Sequence, residues 1–149
     1  MKRIAIIVNA FGGSTTSLAE AFLNQGYKVD FYHLIPRKKS ASFETFDLSL
    51  RGGLFSIVPV RSFDYDGLRR FIPFARNKYF SMYQISVVEL SSMGIRCFIN
   101  PILVLYYVKL ARRIVKQKYD FVNVIGQNKS TAFLSVILRS KGVLSLIHI

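Results

Sequence analysis

Three short segments carry residue types suited to holding a phosphate or a sugar. The first is Asn9-Ala10-Phe11-Gly12-Gly13-Ser14-Thr15. Two adjacent glycines there let backbone N–H groups approach a phosphate, and a helix starting beyond them directs its positive end at the same point. A tight strand-to-helix turn also asks for flexible glycine, and the residues alone leave both readings open. The segment is neither the GxGxxG dinucleotide pattern nor a P-loop, which ends in Gly-Lys-Ser/Thr. The second segment, Gly126-Gln127-Asn128-Lys129-Ser130, offers amide and ammonium donors to hydroxyls or phosphate. It reads equally as a capped turn with a solvated lysine. The third is His148, whose imidazole could position a reacting group or simply pack.

Other chemistries find no constellation. The sequence has no nucleophile elbow, no HExxH and no cysteine pair, since Cys97 is the single cysteine. Asp64 and Asp66 sit in a turn signature, and His33 falls inside an apolar run where a structural role is expected. Neither a metal site nor a bound cofactor is therefore expected.

The segments need elements to hold them. Arg3 to Asn9 is apolar after its first residue, as in a central parallel strand covered on both faces. Thr15 to Gln25 has helical spacing, with Ser17 and Glu20 as a capping pair and Gly26 as the stop. Lys28 to Leu34 is expected to be a second strand, Pro36 to Ser42 a basic loop, and Leu54 to Val60 a further strand. Helices are expected around Leu68 to Phe74 and Phe80 to Leu90, and a long one from Pro101 to Lys118. Asp120 to Ile125 reads as a strand, Ser130 as the cap of a helix running to Ser140 and ended by Gly142, and Val143 to Ile147 as the last strand. Alternating strand and helix imply one α/β domain: an open, Rossmann-like, mostly parallel sheet with helices on both faces. Ligands of such sheets bind beyond the carboxyl ends of the strands, where the three segments fall.

A net charge of +13 over 149 residues favours phosphates, nucleic acid or anionic lipid headgroups as partners. Arg69, Arg70, Arg76, Lys109, Arg112 and Arg113 are the candidate membrane-facing cations, against the alternative of a solvated basic face. No nucleic-acid reading motif accompanies them, which argues against that partner. The apolar run Ile102 to Leu110 contains Lys109 and is too short to span a bilayer, and the start is read as a strand rather than a secretion signal.

Taken together, Lys2 to Val8 leading into Gly12-Gly13, Leu18 to Val29, Tyr119 to Gly126 and Leu144 to His148 resemble the N-terminal domain of GT-B glycosyltransferases of the family 4 type. The match covers both ends of the chain in the family's order; Pro36 to Ile99 matches only in layout. The resemblance implies retaining transfer of a sugar from a nucleotide-sugar to a glycan or glycolipid acceptor, without a catalytic metal. It places Gly12 and Gly13 at the donor diphosphate and His148 at the reacting sugar. Asn9, Phe11, Ser14, Thr15, Gln127, Asn128 and Lys129 would form the acceptor loops. Ile149 departs from the acidic or small polar residue that the family commonly has after this histidine. The family's donor-binding second domain is not represented in these residues, so the chain reads as one half of a two-domain or split enzyme, inactive alone. Its expected setting is cytoplasmic cell-surface polysaccharide or glycolipid synthesis, peripheral to the membrane's inner face. A noncatalytic membrane-surface or partner-binding module is the alternative.

Overall fold

A computed structural model describes residues 1–9, 13–37, 52–60, 74, 76–90, 93–126, 128–142 and 145–148, the last four by their backbone. Strand β1 is Arg3–Val8, and its Ala5, Ile6, Ile7 and Val8 are wholly buried. It pairs in parallel on one side with β2 (Lys28–Arg37) and on the other with β5 (Phe121–Ile125). Strand β4 (Phe80–Val88) lies outside β2, and β6 (Ser145–His148) outside β5, both parallel. Strand β3 (Ile57–Pro59) closes the β4 edge antiparallel, completing the order β3-β4-β2-β1-β5-β6. The fold is thus the open, mostly parallel α/β sheet of Rossmann-like kind.

Helices cover both faces. Helix α1 (Gly13–Asn24) buries Ala19 and Leu23 against Ile4, Ile6, Val8, Val29 and Phe31. Helices α2 (Pro101–Lys116) and α3 (Lys129–Ser140) cover Ala5, Ile7, Tyr32, Leu34, Val122 and Val124 on the opposite face. This division follows from the period-two alternation of side chains along each strand. Helix α2 starts at Pro101 behind Asn100, whose side-chain oxygen accepts from the N–H groups of Ile102 and Leu103 at 3.1 and 3.4 Å. A 3-10 helix, Ile95–Ile99, leads into it. Gly26 and Gly142, at φ of +84° and +75°, end α1 and α3 in the left-handed region that glycine enters freely.

Several expectations are corrected. Phe80–Val88 is a strand, not a helix: its aromatic and branched residues pair with β2 on one side and β3 on the other. Strand β2 runs on through Pro36 and Arg37 because β4 extends alongside, pairing Pro36 with Val87. The strand expected over 54–60 shrinks to three residues because Phe55 takes φ of +60°. That conformation costs about 1–3 kcal/mol, and the stacking of Phe55 on Tyr106, with centroids 5.1 Å apart, offsets it. Helix α1 begins at Gly13, so Ser17 lies inside it and caps nothing. Helix α2 stops at Lys116 and Lys118 adopts φ of +54°. Asn128 rather than Ser130 caps α3, accepting from the Thr131 N–H at 2.9 Å. The helix expected around 68–74 lies outside the described residues apart from Phe74, as does the expected loop beyond Arg37.

Candidate functional site

The chain leaves β1 toward β2 and β4 on one side, and later returns to build β5 and β6 on the other. The topological switch point therefore lies between the carboxyl ends of β1 and β5, the usual place for a ligand in such sheets. Asn9 follows β1 and Gly126 follows β5. A methyl group on Gly126 would lie 2.5 Å from Asn9 Oδ1 and 2.7 Å from Thr131 Cγ2, so any side chain there must push those two aside. Thr131 Oγ1 in turn donates to the Asn128 carbonyl at 2.9 Å. The end of β1 is thereby packed onto the first turn of α3, and the positive ends of α1 and α3 both lie at the sheet's carboxyl edge.

Beside Asn9 stands His33, level with Val8 in the register and with Gln84 on the other side. Its ring is buried and hydrogen-bonds to the Asn9 backbone; burial pushes the imidazole down to about 4 against that bond, so it is neutral at physiological pH. His33, Gln84 and Ser86 form a buried polar stripe on the α1 face of β2 and β4, and Thr15 is buried on α1 itself. Ser86 Oγ has no hydrogen-bond partner among the described residues. From sequence His33 reads as structural, and Gln84 and Ser86 do not stand out. The signal that could have found them is the set of polar residues punctuating the runs Asp30 to Pro36 and Met82 to Val88.

The other expected residues are distributed as follows. Gly13 is the first residue of α1, and a side chain there would meet nothing within 4 Å among the described residues. Ser14 is exposed. Lys129 spends its ammonium on the backbone carbonyls of Leu90, at 3.1 Å, and Met93. Asn128 commits its side-chain oxygen to the α3 cap. His148 is the last residue of β6, opposite Ile125 and one step from Gly126. Its side chain lies outside the described residues, as do Phe11, Gly12, Gln127, Arg69 and Arg70. Arg76, Lys109 and Arg112 are exposed, while Arg113 donates to the Phe55 carbonyl at 3.3 Å. Among the described residues no three His, Cys, Asp or Glu side chains come together as metal ligands.

A second polar centre, unforeseen from sequence, lies at the amino end of the sheet. Asp30 is buried and accepts from Arg3 Nη2 at 2.9 Å and from the Tyr119 hydroxyl at 2.6 Å. The Tyr119 and Tyr32 hydroxyls are hydrogen-bonded, and Tyr32 stacks on Tyr83 with ring centroids 5.1 Å apart. Burial pushes the Tyr32 phenol up to about 12, and burial with the Asp30 bond pushes Tyr119 up as well. The Tyr32–Tyr83 pair lines an open groove of about 260 Å³, with Ile57, Arg113, Lys116 and Gln117. The groove is on the α2 face, away from the switch point.

No family model and no curated protein matches the sequence. Among solved structures the chain is similar to the C-terminal domain of a hydrogenase from Pyrococcus furiosus, at TM-score 0.51 and 11% identity, covering 99% of this chain and 91% of that one. It is also similar to an E. coli structure described as trehalose-6-phosphate bound with UDP-2-fluoro glucose, at TM-score 0.49 and 11% identity. That match covers 98% of this chain and 32% of the other. An α,α-trehalose-phosphate synthase (UDP-forming) from Burkholderia vietnamiensis follows at TM-score 0.43 and 12% identity, with 99% and 31% covered. At such identities the likeness concerns the fold alone.

Proposed function

We propose that the chain forms the acceptor-side wall of a retaining glycosyltransferase that takes its sugar from a nucleotide-sugar. The observation that carries this reading is the convergence at one sheet edge of Asn9, Gly126 and the amino ends of α1 and α3. Helix amino ends attract the charge that develops on a departing diphosphate, and they need no metal or cofactor to do so. Gly12 and Gly13 are assigned to that diphosphate. His148, at the end of β6, is assigned to positioning the donor sugar. Asn9, Phe11, Ser14, Thr15, Gln127 and Asn128 are the acceptor-side residues; Lys129 supports them from behind through Leu90 and Met93.

Transfer requires donor and acceptor to be held together away from water, so an opposing wall from another domain or subunit is part of the proposal. The test is titration with a panel of nucleotide-sugars, then release of nucleoside diphosphate with and without a donor-binding domain supplied in trans. The reading expects weak binding by the chain alone, loss of that binding in Gly13→Val, and release only in the complemented reaction. It also expects His148→Ala to slow release without lowering stability. Acceptor-dependent release by the chain alone, or unchanged affinity in a folded Gly13→Val, overturns it.

A further inference from the structure

Helix α2 exposes one continuous face. At 100° per residue, Ile102, Leu105, Tyr106, Lys109, Arg112 and Lys116 fall within about half a turn of one another, and all six are exposed. The face changes character along its length. Its first two turns carry Ile102, Leu105 and Tyr106, exposed by 65%, 53% and 41%; the rest is cationic. The 3-10 helix packed against this end adds Ile95 and Ile99, exposed by 81% and 76%, with Arg96 between them. Five large apolar side chains on one tip are far more than the scattered exposed residues that soluble surfaces carry.

The tip is built firmly. Asn100 satisfies the first N–H groups of α2, and Lys129 fastens the carbonyls of Leu90 and Met93 just before the 3-10 helix. Phe98 packs on Phe133 of α3. The tip also points toward the sheet's carboxyl edge, because the other end of α2 is held at the amino edge, where Arg3 Nη1 donates to the Gln117 carbonyl at 2.9 Å.

From this arrangement we infer that the tip docks edge-on into an anionic lipid bilayer. Ile102 to Tyr106 span about 6 Å along the helix axis, and Lys109 lies about 10 Å from Ile102. Those heights match an apolar segment seated about 5–10 Å deep, at the boundary of headgroups and acyl chains, with the cations at the lipid phosphates. Lys109 can extend its methylene stem along the apolar surface while its ammonium reaches a phosphate. A basic collar on a chain of net charge +13 selects an anionic surface over a neutral one, and no helix among the described residues is long and apolar enough to cross it. Arg113 contributes less than its neighbours because its guanidinium is turned to the Phe55 carbonyl. The surface operates whether or not the chain takes part in sugar transfer.

The test is flotation of the 149-residue chain with vesicles of phosphatidylglycerol mixed equally with phosphatidylcholine, against phosphatidylcholine alone. Binding is expected only to the mixed vesicles. Ile99→Asp with Ile102→Asp should lower it by roughly tenfold or more, since burying even one isoleucine side chain shifts a partition constant that far. Lys109→Glu with Arg112→Glu should lower it similarly. The chain has no tryptophan, so Ile102→Trp supplies a single tryptophan, excitable apart from the tyrosines, whose emission should shift to the blue on adding mixed vesicles. Circular dichroism of each variant checks the fold, which exposed positions leave intact. Binding that survives the paired aspartates, or an unshifted emission from the Ile102→Trp variant, overturns the inference. So does a concentration-dependent dimer that the same aspartates abolish, because a second copy would then be what covers the tip.

Discussion

The side-chain oxygen of Asn9 fills the space that a methyl group on Gly126 would need, 2.5 Å from where that carbon would sit. A side chain at position 126 would therefore have to displace the side chains of Asn9 and Thr131 at the switch point. Gly126→Ala forces Asn9 and Thr131 apart and is expected to destabilise the fold by about 1–3 kcal/mol. Asn9→Gly added to it should recover part of that loss, because Thr131 still crowds the site. Urea unfolding of the two variants and the parent measures both effects; an undiminished midpoint in Gly126→Ala would refute the close approach.

His33 supplies a pH dependence with a definite sign. Its imidazole titrates near 6.5 when unfolded and near 4 in the fold, where burial disfavours the charged form. Between those values the unfolded chain binds the extra proton, so stability is complete above about 6.5 and falls as pH drops toward 4. The loss amounts to about 3 kcal/mol for this residue. Thermal melts across that window should slope for the parent and flatten in His33→Gln. Parallel slopes in the two proteins would exclude His33 as the cause.

Lys129→Met keeps the side chain's length and removes its donors to Leu90 and Met93. The Leu90 carbonyl keeps the Met93 N–H at 3.1 Å, so the expected cost of about 1–3 kcal/mol falls on the Met93 carbonyl, which loses a charged donor. Amide exchange should quicken over the 3-10 helix Ile95–Ile99 while α1 stays protected. Unchanged exchange in that helix would mean the ammonium is not what fastens it.

Tyr119→Phe takes one donor from a buried carboxylate whose other oxygen, Asp30 Oδ1, has no hydrogen-bond partner among the described residues. A loss of about 1.5–3 kcal/mol follows for a bond to a charged acceptor. Tyr32→Phe should be milder, and a double-mutant cycle should reveal coupling, because the Tyr32 hydroxyl reaches Asp30 through Tyr119. Additive losses would show that the two hydroxyls act separately.

The central elements are legible in the sequence because burial on both faces writes itself as an unbroken apolar run, as in Ile4 to Val8, while Val122 to Ile125 carries only Asn123 as an interruption. Helix α2 is equally plain from Pro101 and its basic last turns. Strand β4 passes for a helix because its period-two signal is blurred where Gln84 and Ser86 interrupt the buried face. At the site, the glycine at 126 is recognisable as a turn, but its reason, the side chain of Asn9, belongs to a distant segment and leaves no local trace. The Arg3–Asp30–Tyr119 centre is hidden for the same reason: each member is unremarkable within its own segment. The basic residues of α2 draw notice as cations, whereas in the apolar run Ile102 to Leu110 the sequence does not tell the exposed Ile102 and Leu105 from the buried Leu103 and Leu110.

The two edges of the sheet are unequal in a way that bears on handling the protein at high concentration. On one side β3 offers only three residues, runs antiparallel and ends in Pro59, whose nitrogen carries no hydrogen to donate. A strand from another molecule finds no long ladder to extend there. Among the described residues, strand β6 on the far side is held by β5 alone, parallel and without a proline. Of these two described edges, β6 is the one whose backbone suits pairing with a strand from another molecule, beside Leu146 and Ile147 rather than beside Ile57.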